Sequence, residues 1–250
     1  MSGLITRRNL LVGIGAGLVT GCDAVGKSGT GRELLFTAEN MHRWLQRTIS
    51  SPTALAPEFS RAQMSPYFRT NGNRTADTPD YQALLADRFA SYRLVVDGLV
   101  ARPLSLSLDQ IRSMPTRTQI TRHDCVEGWS AIGEWHGPPL KLILDQAGMR
   151  DRAKYIVFHC FDRFGANSYY ESIDLVDAFH PQTILAWAMN RRNLPVGHGA
   201  PLRLRVERQL GYKHAKFIQR IEAVDSLAGI GRGKGGFWED VADYEWYAGI

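Results

Sequence analysis

Apolar residues near the start of the chain recur at the spacing of an α-helix. The positions that follow this period between residues 32 and 50 are Leu34, Leu35, Met41, Trp44, Leu45 and Ile49. Because Ser51-Pro52 interrupts the pattern, the sequence predicts one amphipathic helix over 32–50. From Pro57 to Pro79 the chain is rich in Pro, Ser, Asn, Gly and Arg, which predicts a long irregular segment.

Farther along, short runs of β-branched and apolar residues alternate with polar ones, as in half-buried strands. The predicted strands cover residues 92–100, 103–108, 117–122, 155–160, 183–189, 202–206 and 217–224. Short helices are predicted over 81–89, 109–114 and 140–147. Because strands dominate and no repeat is present, the sequence predicts an α+β domain with a mixed, β-rich core.

Composition is that of a folded globular protein. Of the 250 residues, 44% are hydrophobic and 22% are charged, which excludes disordered, collagenous and coiled-coil proteins. Lys and Arg number 30 against 25 Asp and Glu, a formal net charge of +5. Since these basic residues are spread along the chain, we expect no nucleic-acid partner.

The first residues are typical of an export signal. Arg7-Arg8 come shortly before the apolar run Leu10–Val19, which resembles a twin-arginine signal for proteins exported in the folded state. The run is too short to span a bilayer, which takes about 20 residues. Small residues before Cys22 resemble a lipoprotein processing site, and the alternative is cleavage near Gly21 or Ala24 with Cys22 incidental.

We therefore expect a periplasmic protein that is tethered to the membrane through lipidated Cys22. The predicted division is a signal at 1–21, a tether and N-terminal helix at 22–56, the main domain at 57–228 and a C-terminal tail at 229–250. Gly229–Gly236 lacks the residues of a phosphate-binding loop and predicts a flexible loop. Export in the folded state also favours a cofactor enzyme, because a large cofactor is taken up before export.

Two cysteines remain in the main domain, and the residues alone leave their chemistry open. Cys125 follows Arg122 and His123, groups that favour the thiolate and metal binding. Alternatives are a disulfide with Cys160 and a zinc site. The candidate zinc ligands match no usual spacing: His123, Cys125, His136, His159 and Cys160. The sequence has no Cys-x-x-Cys-His motif, so we expect no covalent haem.

Two separated blocks resemble the sulfite oxidase family of molybdopterin enzymes. The first, within Arg122–Leu140, contains Cys-Val-Glu-Gly-Trp-Ser followed by Trp-His-Gly-Pro-Pro-Leu. The second joins His-Gly-Ala-Pro-Leu-Arg at 198–203 to Gly-Tyr-Lys-His-Ala-Lys-Phe at 211–217. The motif around Cys125 is closest to the bacterial periplasmic branch that includes protein methionine sulfoxide reductases, whereas the second block is closer to sulfite oxidases.

This resemblance implies a sulfite-oxidase-type fold over 57–228 and one molybdenum held by one molybdopterin and the Cys125 thiolate. The residues implied to hold the cofactor are Phe68, Asn71, Asp162, His198, Arg203, His214 and Lys216. A buried phosphate and pterin need charge-assisted donors, which the histidines, Arg203 and Lys216 supply. His123, Glu127 and Trp129 are the remaining candidates for the catalytic pocket.

The implied activity is two-electron oxygen-atom transfer on a small sulfur or nitrogen oxo compound or a protein sulfoxide. Sulfite-oxidising members carry arginines after the metal cysteine, whereas Val126, Glu127 and Gly128 follow it here. Four arginines remain candidates for an anion pocket: Arg69, Arg122, Arg191 and Arg192. With no haem motif, electrons must pass to or from a separate redox partner, a cytochrome or a membrane haem protein. The alternatives are a sulfite dehydrogenase, a cofactor-less periplasmic lipoprotein binding module and a zinc hydrolase.

Overall fold

A computed structural model describes residues 29–49 and 51–250, and the chain divides into two units at residues 50 and 51. The first unit contributes helix α1 (Gly29–Ile49), which confirms the predicted amphipathic helix. Among the described residues, no helix combines the length and apolar character needed to cross a bilayer. The expectations for Arg7, Arg8 and Cys22 lie outside the described residues and stay predictions.

The second unit contains five helices and eleven strands in the following chain order. The helices are α2 (Pro79–Ala86), α3 (Leu108–Arg112), α4 (Leu140–Ala147), α5 (Leu175–Ala178) and α6 (Phe237–Ala242). The strands are β1 (Arg93–Gly98), β2 (Leu104–Ser107), β3 (Arg117–Cys125), β4 (Trp129–Gly137), β5 (Tyr155–Phe164), β6 (Asn167–Asp174), β7 (Ile184–Ala186), β8 (Ala188–Met189), β9 (Arg192–Asn193), β10 (Arg203–Arg205) and β11 (Ile218–Val224).

Three sheets build this unit. The largest has the strand order β2-β1-β11-β5-β6, in which β1 and β11 run parallel and the other pairs antiparallel. A second sheet has the order β3-β4-β8-β9, and β7 pairs with β10. The predicted α+β class with a mixed, β-rich core is therefore confirmed.

The main core lies on the large sheet, where strands and amphipathic helices share their apolar faces. The apolar residues of α4 that face the core, Leu140, Ile143, Leu144 and Ala147, are all fully buried. Gly148 ends that helix in the left-handed region, with φ of 69°. A smaller cluster contains Trp135 and Phe68 and includes residues of β4, β7 and β8.

Three regions differ most from the sequence predictions. Strands β4 and β6 were not predicted, because β4 reads as a motif rich in Gly and Trp and β6 begins with polar residues. The expected flexible loop at Gly229–Gly236 and tail at 229–250 instead pack on the domain, with Phe237 in the main core. Glycine there permits close packing, since a Cβ at Gly236 would overlap the Glu239 carboxylate.

Candidate cofactor site

Cys125 ends β3 at a tight hairpin turn and opens into a cleft. The backbone N–H of Gly128 donates to the carbonyl of Cys125 at 3.0 Å, and Gly128 has φ of 84°, which favours glycine. The hairpin sets Cys125 opposite Trp129 in the β3–β4 register. The adjoining cleft is open to solvent and has about 640 Å³ of empty space, and Cys125, Val126 and Glu127 are among the residues that line it.

The thiol of Cys125 does not have the environment that its sequence neighbours suggest. Burial raises its pKa, the Glu127 carboxylate adds to that rise, and the cation that lowers it is Arg203 rather than Arg122. Arg122 instead pairs with Asp124 at 2.9 Å. The expectation that adjacent charges favour the free thiolate is wrong, and a bound cation is what would stabilise that form.

The irregular segment before α2 supplies one wall of the site. Phe68 is buried, and its ring contacts His123, Trp129, Trp135 and His198 at centroid distances of 5.4–6.2 Å. This aromatic packing fixes the segment that follows, which places Asn71, Gly72 and Asn73 at the cleft.

Strand β10 contributes Arg203, which is completely buried. Its Nη2 donates to Oδ1 of Asn71 at 3.1 Å and its Nη1 to the carbonyl of His198 at 3.3 Å, while Nε has no partner. Burial, followed by the charge of Arg205, lowers the pKa of Arg203 to about 9, so it stays cationic at neutral pH. An unpaired guanidinium group in this position suits an anion.

Three imidazoles surround this arginine and are neutral at pH 7. Burial, assisted by Arg203, lowers the pKa of His198 to about 4 and holds those of His123 and His214 well below the ordinary value. Nδ1 of His198, Nδ1 of His214 and Nε2 of His123 lack hydrogen-bond partners. The site therefore presents neutral rings with unused polar atoms beside a buried cation.

Lys216 and Asp162 complete the polar side of the cleft. The Lys216 ammonium donates to the carbonyls of Asn71 at 2.6 Å and Gly197 at 3.1 Å and also to that of Asn73. Burial, followed by Arg203, lowers the pKa of Lys216 to about 7. Burial raises the pKa of Asp162 to about 6 although Asn73 donates to its carboxylate at 3.0 Å.

Glu127 and Trp129 lie on the solvent side of Cys125. The indole Nε1 of Trp129 donates to Oε2 of Glu127 at 3.0 Å, and Glu127 is exposed at the edge of the cleft. Glu127 therefore lies at the cleft, while Trp129 is half-buried against Phe68 and His123.

The predicted cofactor residues thus meet at one place, whereas the predicted zinc ligands do not. His136 bonds to Thr118, His159 bonds to Glu222, and Cys125 and Cys160 are both free thiols. Within residues 29–49 and 51–250, no three His, Cys, Asp or Glu side chains are grouped to hold a metal. The disulfide and the zinc site therefore have no support from the structure.

Molybdopterin fits the chemistry of the residues around the cleft. Buried polar atoms without partners are costly, and five belong to predicted cofactor residues or His123: His123 Nε2, Asp162 Oδ1, His198 Nδ1, Arg203 Nε and His214 Nδ1. A polar ring system with a phosphate group would supply partners for such atoms and charge for Arg203 and Lys216. Since its dithiolene binds the metal, the protein need add only the Cys125 thiolate.

Sequence reasoning missed several residues that complete the site. Asn73 links Asp162 to Lys216, Arg205 donates to Nδ1 of His123 at 3.0 Å, and Glu207 pairs with Arg205. The available signal was the pair Arg203 and Arg205 alternating in β10, with Glu207 two residues farther on, because buried charges demand partners.

Comparison with known proteins places this site in a family. Residues 81–228, more than half of the chain, match the family described as oxidoreductase molybdopterin binding domain. The chain is 36% identical over 243 residues to the putative protein-methionine-sulfoxide reductase subunit YedZ1 of Azospira oryzae, which covers 97% of this chain and 86% of that protein.

Two further likenesses are more partial. Identity is 32% over 164 residues with the protein-methionine-sulfoxide reductase catalytic subunit MsrP of Xanthomonas campestris, covering 61% of this chain and 51%, about half, of that protein. The sulfane dehydrogenase SoxCD of Paracoccus pantotrophus shares the fold over 55% of this chain and 39% of that one, with a TM-score of 0.50 and 22% identity. The chain therefore belongs to the oxidoreductase family defined by the molybdopterin-binding domain.

Proposed function

We propose that this chain is the catalytic subunit of an exported molybdopterin enzyme that reduces methionine sulfoxide in proteins. Its relatives in Azospira and Xanthomonas carry that activity in their names. The observation that carries the substrate class is the charge beside Cys125, where the cleft edge offers the Glu127 carboxylate and no arginine. A neutral sulfoxide tolerates this surrounding, whereas sulfite would meet a like charge.

The four arginines considered for an anion pocket give the sulfite alternative little support. Arg122 pairs with Asp124, and Arg191 lies 3.7 Å from Glu134. Arg69 and Arg192 are exposed, and none of the four lines the cleft. An anionic substrate would therefore lack a charge partner at the opening, which favours sulfoxide over sulfite.

The proposed cofactor roles follow from the geometry. Cys125 would bind molybdenum, while Arg203 and Lys216 would hold the anionic part of the pterin and His198, His214, Asp162 and Asn71 its polar edges. When bound, the group supplies two-electron oxygen-atom transfer. Phe68 and Trp129 would exclude water from the bound group, and His123 would offer its Nε2, which has no partner in the protein, for a hydrogen bond.

Reduction of a sulfoxide to a sulfide consumes two electrons and two protons and releases water. The sequence carries no Cys-x-x-Cys-His motif for covalent haem, so we assign electron supply to a separate partner, a cytochrome or a membrane haem protein. The twin-arginine signal and lipidated Cys22 would bring the enzyme to the periplasmic membrane face where such a partner lies.

The test is to purify the chain from a host that makes molybdopterin and to measure metal content and two activities. We expect about one molybdenum per chain, reduction of methionine sulfoxide in a peptide by reduced viologen dye, and no sulfite-dependent reduction of ferricyanide. Cys125→Ser should remove the activity, and Cys160→Ala is the matched control because Cys160 is a buried thiol in the main core.

Two outcomes would count against the proposal. Sulfite oxidation faster than sulfoxide reduction would favour the sulfite dehydrogenase. A folded protein without molybdenum, with Cys125→Ser indistinguishable from wild type, would favour the cofactor-less binding module.

A further inference from the structure

The C-terminal segment, residues 229–250, reaches the cofactor cleft. Trp238 and Tyr244 line the same cleft as Cys125, and their rings stack with centroids 5.9 Å apart and an interplanar angle of 26°. Trp238 also contacts the ring of Phe164 at 5.2 Å, and Tyr244 that of Tyr212 at 5.0 Å. The segment therefore adds an aromatic wall to the cleft that Asn71 and Lys216 also line.

A buried ion cluster attaches this wall to the domain. The Lys213 ammonium lies between Glu239 of α6, at 2.7 Å, and Glu171 of β6. All three side chains are almost completely buried. Lys213 is also the neighbour in sequence of Tyr212 and His214, which both line the cleft. One side chain thus connects the C-terminal segment to the edge of the cofactor site.

The cluster has two carboxyl groups for one ammonium. Lys213 is therefore the only cation of the cluster, and both carboxyl groups depend on it. Burial, followed by the charge of Glu239, raises the pKa of Glu171 well above its usual range. Burial opposes the ammonium form of Lys213, but the two carboxylates outweigh it and raise its pKa. Without Lys213, two acidic groups would face each other in a dry interior.

Hydrogen bonds to Asp240 also fix the glycine-rich part of the segment. Oδ2 and Oδ1 of Asp240 accept the backbone N–H groups of Arg232 at 2.8 Å and Lys234 at 3.1 Å. The hydroxyl of Tyr170 donates to the same carboxylate at 2.6 Å. These bonds hold the loop in one conformation, so the segment is an ordered cover rather than a tail.

We propose that residues 229–250 form a strap that closes the cofactor cleft, with Trp238 and Tyr244 as its cofactor-facing wall and Lys213 as the positioning residue that holds it shut. The family match ends at residue 228, so the strap lies outside the matched region. The proposal rests on the cofactor family and not on the substrate, and it can therefore fail or succeed independently of the sulfoxide assignment.

The experiment compares full-length molybdenum-loaded protein with Lys213→Met, Glu239→Gln and Lys234→Met. Lys213→Met leaves two buried carboxyls without a cation, whereas Glu239→Gln removes the second negative charge but keeps a side-chain oxygen on the strap that can accept from the Lys213 ammonium. Lys234→Met is the matched control, since it removes a lysine of the same strap that pairs with Asp243 at the surface. The readouts are the rate of protease cleavage within the strap and the rate of molybdenum loss on dialysis, measured by mass spectrometry.

We expect Lys213→Met to accelerate both strap cleavage and molybdenum loss at least about tenfold, because local opening becomes more frequent. Glu239→Gln and Lys234→Met should stay within about twofold of wild type. Faster cleavage with unchanged molybdenum loss would overturn the proposal, because the strap would then be attached without closing the cleft.

A second pair of variants covers the case in which Lys213→Met does not fold. Trp238→Ala and Tyr244→Ala shorten the wall and leave the ion cluster intact. With far-ultraviolet circular dichroism unchanged, each should speed molybdenum loss by at least about threefold, since each removes one ring of the stacked pair that lines the cleft. Retention equal to that of wild type in both variants would overturn the proposal.

Discussion

Strand β10 carries two arginines, two residues apart, that have opposite electrostatic surroundings. Both side chains are completely buried, and their guanidinium groups lie over the ring of Trp135, with centroid distances of 5.3 Å for Arg203 and 4.3 Å for Arg205. Arg205 donates to both carboxylate oxygens of Glu207, at 2.9 and 2.6 Å, and to His123. Arg203 meets only neutral acceptors and keeps one N–H without a partner.

This difference indicates that Arg205 forms a structural ion pair, whereas Arg203 is available to bind an anion. A buried charge without a counter-charge costs several kcal/mol, so a folded chain that keeps one gains by binding an ion of opposite sign. Arg205 is compensated within the protein and fixes the ring of His123. Arg203 would be compensated by a bound anion, and its guanidinium bonds to Asn71, which lines the cleft.

The largest effect on stability should come from breaking the buried ion pair between Arg205 and Glu207. Arg205→Met leaves Glu207 buried without a cation, and we expect the free energy of unfolding of the cofactor-free chain to fall by about 3–5 kcal/mol. Urea unfolding followed by circular dichroism measures this loss. The double variant Arg205→Met, Glu207→Gln should recover much of it, and a loss in Arg205→Met below about 1 kcal/mol would show that the pair is not structural.

Lys216 tests the same idea through pH. Its pKa in the cofactor-free protein is about 7, lowered by burial and by Arg203, against an ordinary value of 10.5. The unfolded chain therefore binds more protons than the folded chain between pH 7 and 10, so this lysine makes stability rise with pH in that window, by up to about 1.4 kcal/mol per unit. Below pH 7 its penalty is fully present.

The measurement is the unfolding free energy of wild type minus that of Lys216→Met, compared at pH 7 and pH 9. We expect the unfolding free energy of wild type to rise by about 2 kcal/mol relative to that of Lys216→Met between pH 7 and pH 9. If this difference did not change with pH, the three carbonyl acceptors would stabilise the Lys216 ammonium as well as water does.

The sequence predicted which residues form the site better than it predicted how their charges are paired. The family motifs named Cys125, His214 and Lys216, which the structure brings to one cleft, and Arg203, which is buried and bonds to Asn71 of the cleft lining. The pairing of Arg205 with Glu207, by contrast, depends on where β10 packs against Trp135. Burial of that kind is a property of the assembled core, which alternation along a short strand cannot specify.

The fold shows the same division. Helix α4 was predicted over its full length, because its amphipathic period and the glycine that ends it are local signals. The strap was predicted as a flexible tail, because a run of glycines is ambiguous: it permits disorder and equally permits close approach of backbone to carboxylates such as Glu239. Only tertiary contacts decide between the two.

Removing Arg203 should leave stability unchanged and weaken cofactor binding, the opposite of the stability loss expected for Arg205→Met. Arg203→Met takes a costly charge out of the core, so we expect the cofactor-free chain to keep its unfolding free energy or gain slightly. Molybdenum content of protein from a molybdopterin-producing host should fall about tenfold, equivalent to about 1.4 kcal/mol of lost binding. Full molybdenum content in Arg203→Met would contradict its role as the anion-binding group.

The smallest effect is expected at Arg122, an arginine that is paired but exposed. Its partner Asp124 lies 2.9 Å away, and more than half of the arginine side chain is open to solvent. Water screens such a pair, so Arg122→Gln should change the unfolding free energy by less than about 0.5 kcal/mol. Because the proposed substrate is neutral, kcat/KM for a methionine sulfoxide peptide should stay within about twofold of wild type. A large loss in kcat/KM with unchanged stability would mean that Arg122 binds substrate charge, and the sulfite alternative would then regain support.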